Sequence, residues 1–215
     1  MPGEKVVRAF NFGLQQLDDN YDVICKFDGD LIFPKNYLET LASHYVQNPK
    51  LGMLSGHCYI QKNNKWIYEN IASKVHTRGP LKSYRRACFK AIGGLQASIG
   101  WDTVDELIAV YYGWTFKTVA TLKVKHLKPT GAHYSPSARY LQGEALYKMR
   151  SGFIIAALSA LKMVLNKKKS IYFFNCMTGY FRAYKTKAKF IVSENQGKFI
   201  RRYRWKALRK KIIRF

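Results

Sequence analysis

Acidic residues all but vanish from the second half of this chain. Residues 107–215 hold 2 Asp and Glu against 24 Lys and Arg, a balance of +22, while residues 1–106 hold 11 against 13. A surface of one sign that has so few carboxylates to neutralise it implies a polyanionic partner: nucleic acid, anionic lipid headgroups or phosphorylated substrates. Cysteine is sparse as well. Cys25, Cys58, Cys88 and Cys176 lie far apart with no C-x-x-C pair, which argues against a disulfide framework or a thiolate metal site and fits a reducing compartment. Long hydrophobic runs are missing: the longest, Gly152 to Leu165, has 14 residues and contains Lys162, short of the ~20 needed to span a bilayer. Met1 to Phe10 has no apolar core of signal-peptide length. There is no internal repeat and no low-complexity linker. With 215 residues, 47% of them hydrophobic, the chain can bury a core as one large domain, or as one domain with an appendage.

What is present is organised around Lys26-Phe27-Asp28-Gly29-Asp30-Leu31-Ile32-Phe33. Tyr21 to Phe27 has the length and composition of a strand. Pro34 stops its continuation, and residues 35–47 read as a helix. Two carboxylates two residues apart at the end of a strand suit a divalent cation such as magnesium or manganese, which takes oxygen ligands. The carboxyl ends of strands are also where open α/β sheets bind ligands. The same residues equally suit a simple turn.

Elsewhere the patterns are helical and extended by turns. Val6, Val7, Phe10, Leu14 and Leu17 make one helical stripe in residues 3–18, Leu51 to Ile60 reads as a strand, and Trp66 to Tyr68 as a short return strand. Residues 76–102 read as irregular, apart from a short helix at Arg85 to Ile92 that Gly93-Gly94 can cap in a left-handed conformation. Asp102, Asp105 and Glu106 share one face at the start of the next helix, which runs to about Tyr112. There they could serve chemistry or merely cap the helix and suit its dipole. A strand over 115–127, near a sheet edge, ends at His126, and Pro129 to Gly131 form a loop. Residues 137–165 and 170–189 read as helices, and Gly197 to Phe215, including Ile213, as a basic amphipathic helix.

In this order, FDGD after a strand, RGPLKSYRRACFKAIGG, GWDTVDE opening a helix and a strand ending at His126 resemble family-2 glycosyltransferases of the GT-A fold, particularly bacterial members, over about residues 1–130. The resemblance implies an α/β fold, a partial Rossmann-like mixed sheet over 1–132 with a basic, helical, membrane-facing appendage over 133–215. It implies transfer from a nucleotide-diphosphate sugar to a saccharide or lipid-linked acceptor, inverting and metal-dependent, in cell-surface glycan synthesis. Asp28 and Asp30 match the DxD motif, Asp30 as direct metal ligand and Asp28 nearer the ribose, with His126 as a further metal contact. Asp102 matches the catalytic base, shared with Asp105 or Glu106, since Trp101 stands where the family has glutamate. Arg78, Arg85, Arg86, Gly93, Gly94 and Trp101 fall in donor- or acceptor-binding segments.

One departure carries expectations of its own. Family members begin with a further βαβ portion that binds the nucleotide, and the chain matches only from the helix before the DxD strand. Val23 to Phe27 is therefore expected at a sheet edge, beside half a nucleotide-sugar cleft, in a poorly soluble chain without turnover of its own. The cationic half is expected on the inner face of an anionic membrane, with Phe153, Ile154, Ile155, Leu158 and Leu161 at the interface. A non-catalytic nucleic-acid-binding protein is the competing reading; it leaves the acids of residues 1–106 unexplained.

Overall fold

The computed structural model describes residues 3–130 and 136–212; Gly131, the 132/133 boundary and residues 213–215 of the tail lie outside them. In order, the elements are α1 (Glu4–Leu14), β1 (Val23–Phe27), β2 (Leu31–Ile32), α2 (Tyr37–Gln47), β3 (Leu51–Lys62), β4 (Lys65–Tyr68), β5 (Leu81–Arg85), α3 (Arg86–Ala91), α4 (Trp101–Tyr111), β6 (Thr115–His126), a 3-10 turn (Pro136–Tyr140), α5 (Leu141–Lys148), α6 (Phe153–Lys167), α7 (Ile171–Lys185) and α8 (Glu194–Ile212). The chain divides into two compact units: Ala9–Leu95 with Asp105–His133, and Met1–Arg8 with Gln96–Val104 and Tyr134–Phe215.

The first of these units is built on a six-stranded sheet in the order β1-β5-β3-β6-β2, with β4 hairpinned onto β3. Only β3 and β6 run parallel; the other pairs are antiparallel. One face is apolar by alternation. Tyr37, Leu41 and Tyr45 recur every four residues along α2, so they share one stripe, and they close over Leu51, Leu54, Cys58, Leu81, Val119, Leu122 and Val124. Val23, Cys25 and Phe27 of β1 join that core half-buried.

Among the described residues β1 has a strand on one side only, at the sheet edge where the resemblance places it. Its one neighbour, β5, falls in the stretch read as irregular. The reason is chemical: LKSYR carries two cations in five residues, and Lys82 is nonetheless fully buried. A buried ammonium needs a partner that local patterning does not show. The two-residue β2 is likewise too short to leave a periodic signal.

The other unit contains α5 to α8. The helix read over 137–165 is broken between α5 and α6, where Arg150 and Gly152 take φ of +51° and +80°. Ile155, expected at an exposed interface, is instead 3% exposed and turned inward with Ala156 and Ala160, whereas Phe153, Ile154, Leu158 and Leu161 are exposed. α5 and α7 approach so closely that a Cβ on Gly143 would lie 1.8 Å from the Cys176 carbonyl oxygen, and one on Gly179 would lie 2.0 Å from that of Tyr140. Backbone cannot yield as a side-chain tip can. Gly179→Ala is therefore expected to lower stability by about 1–3 kcal/mol, the range for overpacking, read as a drop in the thermal midpoint. Gly13→Ala in α1, with open space around it, should raise stability by about 0.5–1 kcal/mol.

Candidate functional site

The end of β1 sets the geometry. The loop Asp28 to Asp30 leaves β1 and enters β2, where Leu31 pairs with His126 and the Leu127 amide donates to the Asp30 carbonyl at 2.9 Å. The backbone thus brings the last residue of β6 beside the two aspartates. Carboxylate oxygens of Asp28 and Asp30 and a ring nitrogen of His126 all lie within 4.8 Å of one another, with His126 Nε2 3.7 Å from Asp30 Oδ1. Two carboxylates and one imidazole are a donor set that magnesium or manganese accepts, so these three residues fit a divalent ion.

Lys26, one strand position before Phe27, is buried and donates to Asp28 and to the Gly79 carbonyl. One oxygen of the first aspartate is therefore already engaged by an internal cation. A second group, Cys58, Glu69 and His126, also clusters. Burial pushes the Cys58 thiol up to about 12, and both Glu69 oxygens accept hydrogen bonds from Thr130 and Arg78. That group suits a hydrogen-bonded network rather than thiolate ligation. Burial would raise Glu69, but bonds from His126, the Thr130 amide and the Arg78 guanidinium outweigh it and hold its carboxyl at about 2.

The arginines and glycines expected in the same cleft are not brought together. Because β5 runs antiparallel to β1 with Phe27 opposite Leu81 and Val23 opposite Arg85, Arg85, Arg86, Gly93 and Gly94 belong to the end of β1 away from Asp28, roughly 13 Å along the strand at the usual rise. Arg85 binds the carbonyls of Leu51, Tyr45 and Asn48, and Arg86 lies over the Tyr21 ring. Gly93 and Gly94, at φ +75° and +73°, cap α3 as their sequence indicates. They line a shallow cleft of about 360 Å³ with Leu14, Leu17, Tyr21 and Phe89. Arg78 does sit at the aspartate end, but buried and ion-paired to Glu69 at 2.7 Å.

The three acids of α4 differ from one another. Asp105 is buried; its carboxylate accepts Lys82 Nζ at 2.7 and 2.8 Å and the Tyr84 hydroxyl at 2.6 Å. Burial raises its pKa against the pull of Lys82, with the neighbouring Glu106 charge adding to the rise. Glu106 accepts the Thr77 amide at 2.6 Å, the Thr77 hydroxyl, and a bond with His76 Nδ1 at 2.9 Å. Asp102 is half-buried in the first turn of α4, beside Trp101, which is buried in the unit containing Gln96–Val104. The Gly100 carbonyl receives the Thr103 and Val104 amides there, so the helix begins one residue before Asp102 and not on it.

Sequence reasoning missed Lys26, Lys82, Glu69, His76 and Thr77. The lysines had a signal: Lys26 shares the parity of Ile24 within VICKF, so a strand there aims it inward. Glu69 had none.

No protein-family model matches the chain, and no curated protein matches it in sequence. Its structure is similar to that of mannosyltransferase PcManGT from Pyrobaculum calidifontis, in complex with GDP-Man and Mn2+, with a TM-score of 0.50 at 13% identity. The match covers 94% of this chain and 59% of that one. This is a glycosyltransferase fold. The chain spans less than two thirds of the mannosyltransferase's length, so the likeness does not extend to the whole of that protein.

Glu106 provides a stability test. Burial opposes its ionisation, yet the bond from His76, the nearby Lys82 charge and the Thr77 bonds hold its pKa below the ordinary value. A carboxylate depressed on folding adds stability that is fully present above its unfolded value of about 4.3 and is lost as pH falls through the folded value. Glu106→Gln should cost about 1–3 kcal/mol at pH 7, measured by urea unfolding, and the gap to the wild-type chain should narrow below pH 4.

Proposed function

We propose that this chain belongs to a glycosyltransferase of the family-2 type. It would move a sugar from a nucleotide-diphosphate donor to a saccharide or lipid-linked acceptor in cell-surface glycan synthesis, with inversion at the anomeric carbon. The observation that carries the reading is the convergence of Asp28, Asp30 and His126 within 4.8 Å at the end of β1, in a fold shared with a mannosyltransferase whose complex holds GDP-Man and Mn2+.

In this reading Asp30 and His126 hold the ion, and Asp28, steadied by Lys26, lies toward the donor. A divalent ion bound there would supply positive charge to the departing diphosphate. Asp102 takes the proton from the acceptor hydroxyl as its oxygen attacks the anomeric carbon; the bond to the diphosphate breaks, and its electron pair leaves with the phosphate oxygen. Asp105 and Glu106, engaged by Lys82, Tyr84, His76 and Thr77, anchor their part of α4 to β5 and the segment before it. Asp30→Asn should abolish both Mn2+ binding and donor turnover in an assembly able to bind donor. Asp102→Asn should lower turnover by roughly 10²–10⁴-fold with donor affinity intact. Undiminished turnover in either variant counts against the assignment.

The helical region is the membrane-facing part of this proposal. Among the described residues no helix is long and apolar enough to cross a membrane, but Phe153, Ile154, Leu158, Leu161 and Leu165 of α6 and Phe174 and Phe181 of α7 are exposed, with Lys162 and Lys167 to Lys169 exposed nearby. Such a surface lies in the headgroup region, its apolar side chains buried and its lysines snorkelling. Each cation near an anionic surface contributes on the order of 1 kcal/mol, screened by salt. Co-sedimentation with anionic vesicles should be strong at low salt and weak at high salt. Equal binding to neutral vesicles, or tight duplex-DNA binding instead, would overturn this part.

A further inference from the structure

We propose that Glu69 is the positioning residue for His126, selecting the ring tautomer and orientation that turn Nε2 toward the aspartate pair; the inference rests on the metal-site reading above and extends it. Glu69 directly follows β4, its amide bound to the Cys58 carbonyl at 2.9 Å, and it is 2% exposed. Its Oε2 lies 3.4 Å from His126 Nδ1 and accepts Arg78 Nη2 at 2.7 Å, while Oε1 accepts the Thr130 amide at 2.7 Å. Arg78 is locked in turn by the Thr130 hydroxyl at 3.0 Å and the Glu69 carbonyl at 3.2 Å.

The two ring nitrogens therefore face opposite carboxylates: Nδ1 faces Glu69, and Nε2 faces Asp30 at 3.7 Å. Only the Nδ1 contact, at 3.4 Å, is within hydrogen-bond reach, and a carboxylate can only accept; in this proposal Nδ1 therefore carries the proton of the neutral ring, and the Nε2 lone pair is left for a cation. A metal-binding histidine is usually oriented in this way, its second nitrogen donating to a carboxylate or carbonyl. Pairing of His126 with Leu31 fixes the histidine backbone but leaves the ring free to turn about its own torsions. Glu69 removes that freedom. A carboxylate that neutralises an arginine frequently meets its fork with both oxygens; here Arg78 takes Oε2 alone, and Oε1 accepts the Thr130 amide.

The test uses the full chain, with Mn2+ alone as probe, read from the loss of the free-ion electron paramagnetic resonance signal, and the His126 tautomer read by nitrogen NMR. Glu69→Gln should weaken Mn2+ binding about 10- to 100-fold, the usual effect of removing such a partner, and shift the neutral ring away from the Nδ1–H form. Because Glu69→Gln strands a buried guanidinium, the double variant Glu69→Gln/Arg78→Met is measured alongside it. It should recover thermal stability without recovering Mn2+ affinity. Folded Glu69 variants that bind Mn2+ as tightly as the wild-type chain would overturn the proposal, as would a wild-type His126 protonated on Nε2. Asp30→Asn separates the two layers. Retention of Mn2+ by Asp30→Asn would refute the metal-site reading, while the tautomer would still decide whether Glu69 orients the ring.

Discussion

Two lysines buried side by side are the constraint on which the sheet unit depends. Lys26 and Lys82 are directly opposite one another across β1 and β5, 4% and 0% exposed. Like charges opposed on one sheet face repel, and each buried ammonium carries a desolvation penalty of several kcal/mol. The pairing survives because each lysine has its own carboxylate, Asp28 for Lys26 and Asp105 for Lys82. Removing one partner of such a pair typically costs 3–5 kcal/mol. The first aspartate of the loop and the middle of α4 are thus tied into the same electrostatic problem, since each neutralises one of the two opposed lysines.

That register decides what reaches the aspartates. β5 enters at Leu81 beside Phe27 and leaves at Arg85 beside Val23, so residues before β5 fall at the Asp28 end and residues after it at the other. Arg78 lies on the near side, and Arg85, Arg86, Gly93 and Gly94 on the far side, although all five belong to one stretch of seventeen residues. Proximity in sequence misled here because an intervening strand inserts its full length between neighbours.

The readable parts of the chain were those with local causes. Pro34 after Asp28-Gly29-Asp30, the helical stretch over residues 35–47, and the paired left-handed Gly93 and Gly94 each have a local reason that a linear reading detects. The parts that escaped have distant causes. Lys82 of β5 is buried only against the carboxylate of Asp105, 23 residues further on, and the Tyr84 hydroxyl shares that carboxylate; the helix break after α5 has left-handed φ at Arg150, which its residue type disfavours. Glu69 reaches His126, 57 positions on, through no motif. Asp105 and Glu106 were legible as acids on one helical face, but their burial against Lys82 and Thr77 was not, since it follows from the unrecognised strand and the segment leading into it.

The helical unit follows a different logic: small residues line its helix contacts beside buried Leu146, Met149, Ile155 and Ile200, while many other large apolar side chains stay outside. Its buried positions include Gly143, Ala145, Ala156, Ala160, Gly179 and Ala183, while Phe153, Ile154, Leu161, Leu165, Phe174 and Phe181 remain exposed. Close helix approach gains dispersion contacts, but it leaves the larger apolar side chains in water, each forgoing up to about 1.5–3 kcal/mol of burial. The charges show the same polarity. Glu144 and Glu194, the two acids of residues 107–215, each pair with a lysine four positions on, so little negative charge in that stretch offsets its cations. A surface that pairs exposed apolar area with excess positive charge is poorly matched to water alone and well matched to an anionic interface, where the apolar groups leave water and the cations meet their counter-charge in one step.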